Sequence, residues 1–180
     1  MGAPRDRVPD RVGRVSPMPS IEERVAAWRR EIPDLEARTL GPMLETIELA
    51  AVAEAWQQQQ LAPFEIGRGE YEILSVLRRL GVPHRSSPSV LMRLVGCSSA
   101  GMAKRLGKLE ARGLVLRSPD PDDGRGSLVR LSQRGLELQE RILRSQLAAM
   151  QGRLEALTEG ELEQISSGIR RLCELLRGGA

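Results

Sequence analysis

Among 27 basic residues only two are lysines, Lys104 and Lys108, and they stand one helical turn apart. Such a pair lies on one helix face, where two ammonium groups can neutralise neighbouring phosphates. Just upstream, Ser98, Ser99 and Met102 occupy positions from which a helix N-terminus can meet base edges or backbone. Arg125 follows Asp123-Gly124 in a turn-rich stretch running from Pro119 to Gly126. A loop of that kind can present one guanidinium to a narrow, electronegative minor groove, with Asp123 orienting it through a charge-assisted hydrogen bond. The plainer alternatives are a solvated basic face for the lysines and ordinary Asp-Gly turn chemistry for the loop.

No catalytic set accompanies these residues. His84 is the single histidine, and Cys97 and Cys173 are too far apart in sequence to form a metal or disulfide framework by themselves. There is no glycine-rich phosphate cradle and no pair of carboxylates on one apolar helix face. The expectation is a protein that is not an enzyme and carries no cofactor or metal.

The charge is unevenly placed. Between Arg78 and Arg130 eleven basic residues face four acidic ones, a net of +7 in a chain whose total is +3, so the flanks are net acidic. A basic middle on acidic ends suits a polyanion-binding module carried by other structure. The 180 residues, 41% apolar, are enough to bury a core. The longest unbroken apolar run, Leu49 to Ala53, is far short of a membrane span. The Arg- and Pro-rich start has no apolar segment of the signal-peptide kind, and a reducing cytoplasm is expected. Four aromatic residues (Trp28, Trp56, Phe64, Tyr71) are too few for a base-stacking platform on single strands.

Residues 1–19 read as a disordered tail. Ser20 and Glu23 form a capping box before a stripe of Ile21, Val25, Trp28 and Ile32, which Pro33 ends. Gly41-Pro42 is expected to start a second helix with Leu44, Ile47, Ala51 and Ala55 on its apolar face, broken by Pro63. A short helix over 69–80 turns Ile73, Leu74, Leu77 and Leu80 inward, and a loop follows over 81–86. Ser87-Pro88 opens another, with Leu91, Leu94 and Val95 inward and Gly96 as a left-handed stop. Ser98 or Ser99 caps a third, in which Met102, Leu106 and Leu109 point inward and Gly113 ends it. Then the period changes to 2: Leu114 and Leu116 alternate with Val115 and Arg117, and Val129 and Leu131 with Leu128 and Arg130. Helix, tight glycine turn, helix and hairpin make a winged helix-turn-helix pattern.

Ser132 and the Thr158/Glu161 pair cap two long amphipathic helices. Their stripes run through Leu136, Leu143, Leu147, Met150, Leu154 and Leu157, and through Leu162, Ile165, Ile169, Leu172 and Leu176. A small lobe with its own core cannot cover both, so a homodimer is expected, delivering two recognition helices to one double-stranded DNA. The organisation expected is therefore mainly α with a small β-hairpin: tail 1–19, N-terminal helices 20–62, winged helix-turn-helix 63–131, and C-terminal dimerisation helices 132–177.

Over Ser20 to Arg177 the chain resembles the MarR transcription regulators. The resemblance is carried by Leu109-Glu110-Ala111-Arg112-Gly113-Leu114-Val115, by Asp120-Pro121-Asp122-Asp123-Gly124-Arg125, and by Val129-Arg130-Leu131-Ser132-Gln133-Arg134-Gly135. Gly124 stands where Arg is commoner in that signature, and Ser132 where Thr is commoner. The N-terminal helix with Trp28, Glu31, Pro33, Asp34 and Leu35 is similar to the urate-responsive branch. That resemblance implies a ligand set of Trp28, Glu72, Arg105 and Arg117. Glu72 stands where the branch usually has Asp, one methylene longer, so the implied effector is an anionic or planar molecule of urate, purine or trans-aconitate type.

The implied function is a ligand-responsive repressor on a pseudo-palindromic operator, with Arg105 moving between DNA and effector duties. Each ligand residue also has a structural reading. Trp28 on an apolar stripe suits a core, and Glu72 beside Ile73 needs a cation such as Arg105 or Arg117 if partly buried. His84 reads as a loop residue and Cys173 as packing. Two alternatives stay open: control by oxidation of Cys97, next to the recognition helix, and a winged helix that docks proteins without touching DNA.

Overall fold

The computed structural model describes residues 19–121 and 126–178. The expected tail, Pro19 apart, and the turn holding Asp123 and Arg125 lie outside the described residues. Those described fall into two compact units, one up to Glu54 and one from Ala55 onward.

The first unit holds α1 (Ile21–Glu31) and the start of α2 (Ala37–Leu61). The capping box forms as its sequence requires, with Ser20 Oγ accepting from Glu23 N at 3.2 Å and Glu23 Oε2 from Ser20 N at 2.8 Å. Arg24 reaches Glu48 on α2 at 2.8 Å. α2 begins four residues before the Gly41-Pro42 start expected for it, and Pro42 lies inside the helix. Having no N–H, it leaves the Arg38 carbonyl without its intrahelical donor.

In the second unit α3 (Arg68–Arg79), α4 (Pro88–Val95) and α5 (Ser99–Ala111) enclose the core with β2 (Val115–Pro119), β3 (Ser127–Leu131) and α6 (Gln133–Leu154). Ile73, Leu74, Leu77, Leu91, Leu106, Leu109, Val115, Val129 and Ile142 are all fully covered. Each such aliphatic side chain contributes about 1.5–3 kcal/mol relative to exposure. Ser87 and Ser98 cap α4 and α5, and Gly96 between them adopts φ 67, the left-handed stop that ends α4 and frees α5 to start in a new direction.

Several expectations are corrected. Leu80 and Leu94 are exposed, at 48% and 54%. Leu80 follows the last turn of α3, and Leu94 lies on the edge of a short helix whose inward arc is Leu91, Met92 and Val95. The wing is a three-stranded sheet rather than a hairpin alone: within the loop expected at 81–86, Arg85–Ser86 (β1) pairs with β3, giving the order β1-β3-β2. The inward phase of β2 is set by Val115, opposite Leu131, so Leu116 turns out to solvent while Leu114 is buried in the turn before the strand.

α6 buries Gly135, Leu138, Gln139 and Ile142 against the lobe, and α7 (Glu159–Leu176) buries no residue. Leu143, Leu147 and Met150 on α6 remain exposed, as do Ile165, Ile169 and Leu176 on α7. No described helix is long and apolar enough to cross a membrane.

Candidate nucleic-acid interface and effector pocket

α5 has two unlike sides. Inward, Met102, Leu106 and Leu109 join the core. Met102 is 3% exposed, which corrects its expected role at base edges: a side chain committed to the core does not also reach DNA. Outward, Ser98, Ser99 and Lys104 are exposed. The Ser98 hydroxyl already accepts from Gly101 N at 3.2 Å, so it presents the helix N-terminus rather than a free side chain. Lys104 has no ion pair among the described residues.

The other cations of α5 face the opening of α3. Lys108 Nζ is 3.3 Å from Glu70 Oε1, and the Lys108 side chain as a whole stays exposed. The Arg105 guanidinium packs on Gly69, where a Cβ would stand 2.5 Å from its central carbon. Arg112, at the C-cap, donates to the carbonyl oxygens of Glu65 at 2.6 Å and Phe64 at 3.2 Å.

The ligand residues implied by resemblance are placed as follows. Arg105 lies over Gly69, within one turn of Glu72 on α3. Glu72 is half-buried, but its cation is Arg79 at 3.2 Å on the same helix, not Arg105 or Arg117. A helix offers that neighbour two turns along the same side, without any tertiary partner. Arg117 pairs with Glu110 of α5 at 3.1 Å. It also rims a cavity of about 220 Å³ between α4 and α5, walled by Met92, Met102, Ala103 and Leu106. Sequence reasoning missed this cavity: Met92 has no role in that reading, and Met102 reads there as a core position and a base contact rather than a wall. Trp28 belongs to the first unit, where it is 49% exposed rather than core and borders, with Arg24 and Glu31, a shallow recess of about 280 Å³.

His84 is in the loop before β1, its backbone N–H donating to the Gly81 carbonyl at 2.6 Å. Cys97 is half-buried against the core, whereas Cys173 is exposed rather than packed. No group of three or more His, Cys, Asp or Glu among the described residues could hold a metal ion.

No family model matches the chain. The transcriptional regulator PecS of Dickeya dadantii, described as HTH-type, is 26% identical over 152 residues, 84% of this chain and 92% of that protein. Among solved structures, a point mutant of E. coli MarR complexed with operator DNA superposes with a TM-score of 0.59 at 20% identity, covering 81% of this chain and 96% of that one. PcaV of Streptomyces coelicolor, in complex with its natural ligand, superposes with a TM-score of 0.56 at 25% identity, covering 70% and 89%. The fold is that of the MarR winged helix, and over most of its length the chain is similar in sequence to the HTH-type transcriptional regulator PecS.

Proposed function

We propose that this MarR-type winged-helix regulator acts as a homodimeric repressor on a pseudo-palindromic operator and is released by a small anionic or planar effector. The observation that carries the DNA-binding part is α5 itself: a capped helix N-terminus at Ser98–Ser99, exposed beside Lys104, on a lobe with a net basic sequence. A helix so exposed fits the major groove, and Arg125, which follows β2 and precedes β3 in sequence, is the residue expected at the adjacent minor groove. The uncovered stripes of α6 and α7 favour a second copy, which would set two recognition helices about one DNA turn (~34 Å) apart.

The effector part rests on Arg105 and Arg117. Both are guanidinium groups within the lobe, and Arg117 rims an apolar cavity below the ~300–1,000 Å³ of drug-sized sites, a size for a one- or two-ring anion. An anion that draws Arg117 from Glu110, or Arg105 from its place over Gly69, would shift α5, and a coupling of ~1–3 kcal/mol suffices for derepression.

The test is a mobility shift with DNA from upstream of the protein's own gene, repeated across salt. Affinity should fall by ~10³ or more between 50 and 200 mM salt if six or more phosphates are contacted. Absence of any preference over random duplex overturns the reading, and favours a protein-docking role. Urate, xanthine and trans-aconitate are then titrated into the complex; if none releases it, the effector class is wrong. Cys97→Ser under peroxide separates ligand control from thiol oxidation.

A further inference from the structure

Arg105, Lys108 and Arg112 recur at i, i+3 and i+7, one stripe along α5, and all three are directed at a single short segment, Phe64 to Glu70. That segment is the elbow between the end of α2 and the start of α3. Ile66 anchors it in the core, but its backbone is irregular: a three-residue 3-10 turn, Ala62–Phe64, is followed by Glu65 in the left-handed region at φ 52. We propose that Lys108 and Arg112 are positioning residues that clamp the recognition helix to this elbow, and that Lys108 is therefore not one of the phosphate contacts. The proposal rests on the reading of α5 as the DNA-reading helix.

The chemistry at each end requires these side chains. Glu70 is a carboxylate with only 10% of its side chain exposed. Its Oε2 accepts from Gly67 N at 3.1 Å, closing the N-terminus of α3, while Oε1 faces Lys108. A carboxylate so covered costs stability unless a cation faces it, and Lys108 supplies that cation. At the other end, the carbonyls of Phe64 and Glu65 end the 3-10 turn with no further helix to accept from. The planar fork of Arg112 reaches both at once, which a lysine ammonium on the same backbone does for one at best. Lys104, one turn before Lys108, has no such partner among the described residues. The two lysines that share a face in sequence thus divide their labour.

The elbow is where a displacement of α2 or α3 would be passed to α5. Holding α5 by two separated attachments fixes its angle as well as its position, and base readout is sensitive to both.

The test joins two measurements on the full-length protein. In the first, promoter affinity is measured across salt for Lys104→Gln, Lys108→Gln, Glu70→Gln and Arg112→Lys. Lys104→Gln should lower the slope of log K against log salt by about 0.9, the signature of one phosphate contact. Lys108→Gln should weaken binding about five-fold or more with the slope unchanged. Glu70→Gln keeps the acceptor for Gly67 N and removes a negative charge from the lobe; a purely electrostatic effect would tighten binding, whereas the clamp requires it to weaken. Arg112→Lys should bind more weakly than wild type and more tightly than Arg112→Ala.

In the second measurement, hydrogen exchange on the free protein should be faster at amides 67–71 in Lys108→Gln and Glu70→Gln than in Lys104→Gln. Tighter binding by Glu70→Gln, a reduced slope in Lys108→Gln, or unchanged exchange at the elbow overturns the clamp. A wild-type protein that prefers no promoter overturns the DNA reading instead, and the exchange result then decides on the clamp alone. Should Arg112→Ala fail to fold, the remaining variants decide the outcome.

Discussion

Arg117 Nε lies 3.1 Å from Glu110 Oε2, so strand β2 of the wing is tied to the last turn of α5 by the same guanidinium that rims the cavity between α4 and α5. Both partners are partly exposed, which limits the pair to about 0–1 kcal/mol. An anionic effector of the proposed kind would therefore compete with Glu110 for Arg117. Glu110→Gln should lower the effector concentration that releases promoter DNA, by up to about five-fold. Arg117→Ala should raise it or abolish the response. Fluorescence anisotropy with labelled promoter reads both, and equal effector sensitivity in Glu110→Gln and wild type would show that Arg117 takes no part in binding.

Among the described glycines Gly135 has the least room for a side chain. A Cβ added there would collide with the Leu114 carbonyl oxygen and stand 3.3 Å from Leu131 Cδ2. The same corner is pinned by Ser132, whose Oγ donates to the Gly113 carbonyl at 2.6 Å and accepts from Gly135 N at 3.0 Å. The Leu114 carbonyl has no room to yield without breaking the Ser132 N–H bond to it at 3.1 Å. Gly135→Ala should cost about 1–3 kcal/mol, as overpacking of a well-filled core does. Urea unfolding checks this; a midpoint equal to wild type would mean the junction of β3 and α6 can shift freely.

The local signals legible in the sequence were those whose cause is local. Ser20, Ser98, Ser132 and Thr158 each cap the helix that their position announces, because a cap needs only its own next three residues. Gly96 and Gly113 likewise take positive φ where the helices stop. What stayed hidden was set by partners distant along the chain. The strand at Arg85–Ser86 exists only because β3 offers an open edge, and the inward phase of β2 follows from its register with β3. Met102 was readable as both core and DNA contact, and only packing chose the core. The choice of Glu70 for Lys108 depends on how close α5 lies to α3, whereas Arg79 is a same-helix partner for Glu72 that the spacing already allowed.

The N-terminus of α7 gives a pH prediction with a definite sign. The Glu161 carboxylate accepts from the Thr158 backbone N–H at 2.8 Å and from its hydroxyl at 2.8 Å. The backbone bond first, and the hydroxyl bond second, hold the Glu161 pKa below its ordinary value of 4.5. Because the folded value is depressed, the stabilisation is fully present above the ordinary value and is lost as pH falls through the lowered one. A carboxylate-observed NMR titration should show Glu161 titrating below an unperturbed Glu. The Thr158→Ala variant, which keeps the backbone N–H, should move its midpoint part of the way back up, and a wild-type midpoint equal to that of an unperturbed Glu would show that the capping box does not form in solution.

Leu147 tests the dimer most directly. It is 60% exposed on α6, between Leu143 at 42% and Met150 at 36%, and it borders an apolar trough of about 420 Å³ that Leu162 of α7 closes. An exposed leucine contributes little to the fold of one protomer, so a charge there leaves the lobe intact. In a dimer that covers this stripe, the same charge is buried without a partner and costs several kcal/mol. Leu147→Glu should therefore raise the dimer dissociation constant at least about 100-fold, a change of ~2.7 kcal/mol, while the unfolding midpoint of the monomeric lobe stays near wild type. Sedimentation velocity over a concentration series reads the first quantity and circular dichroism the second. Operator binding should fall with dimerisation, since one lobe alone loses the second half-site. A Leu147→Glu protein that sediments as wild type would place the dimer interface elsewhere than on the α6 stripe.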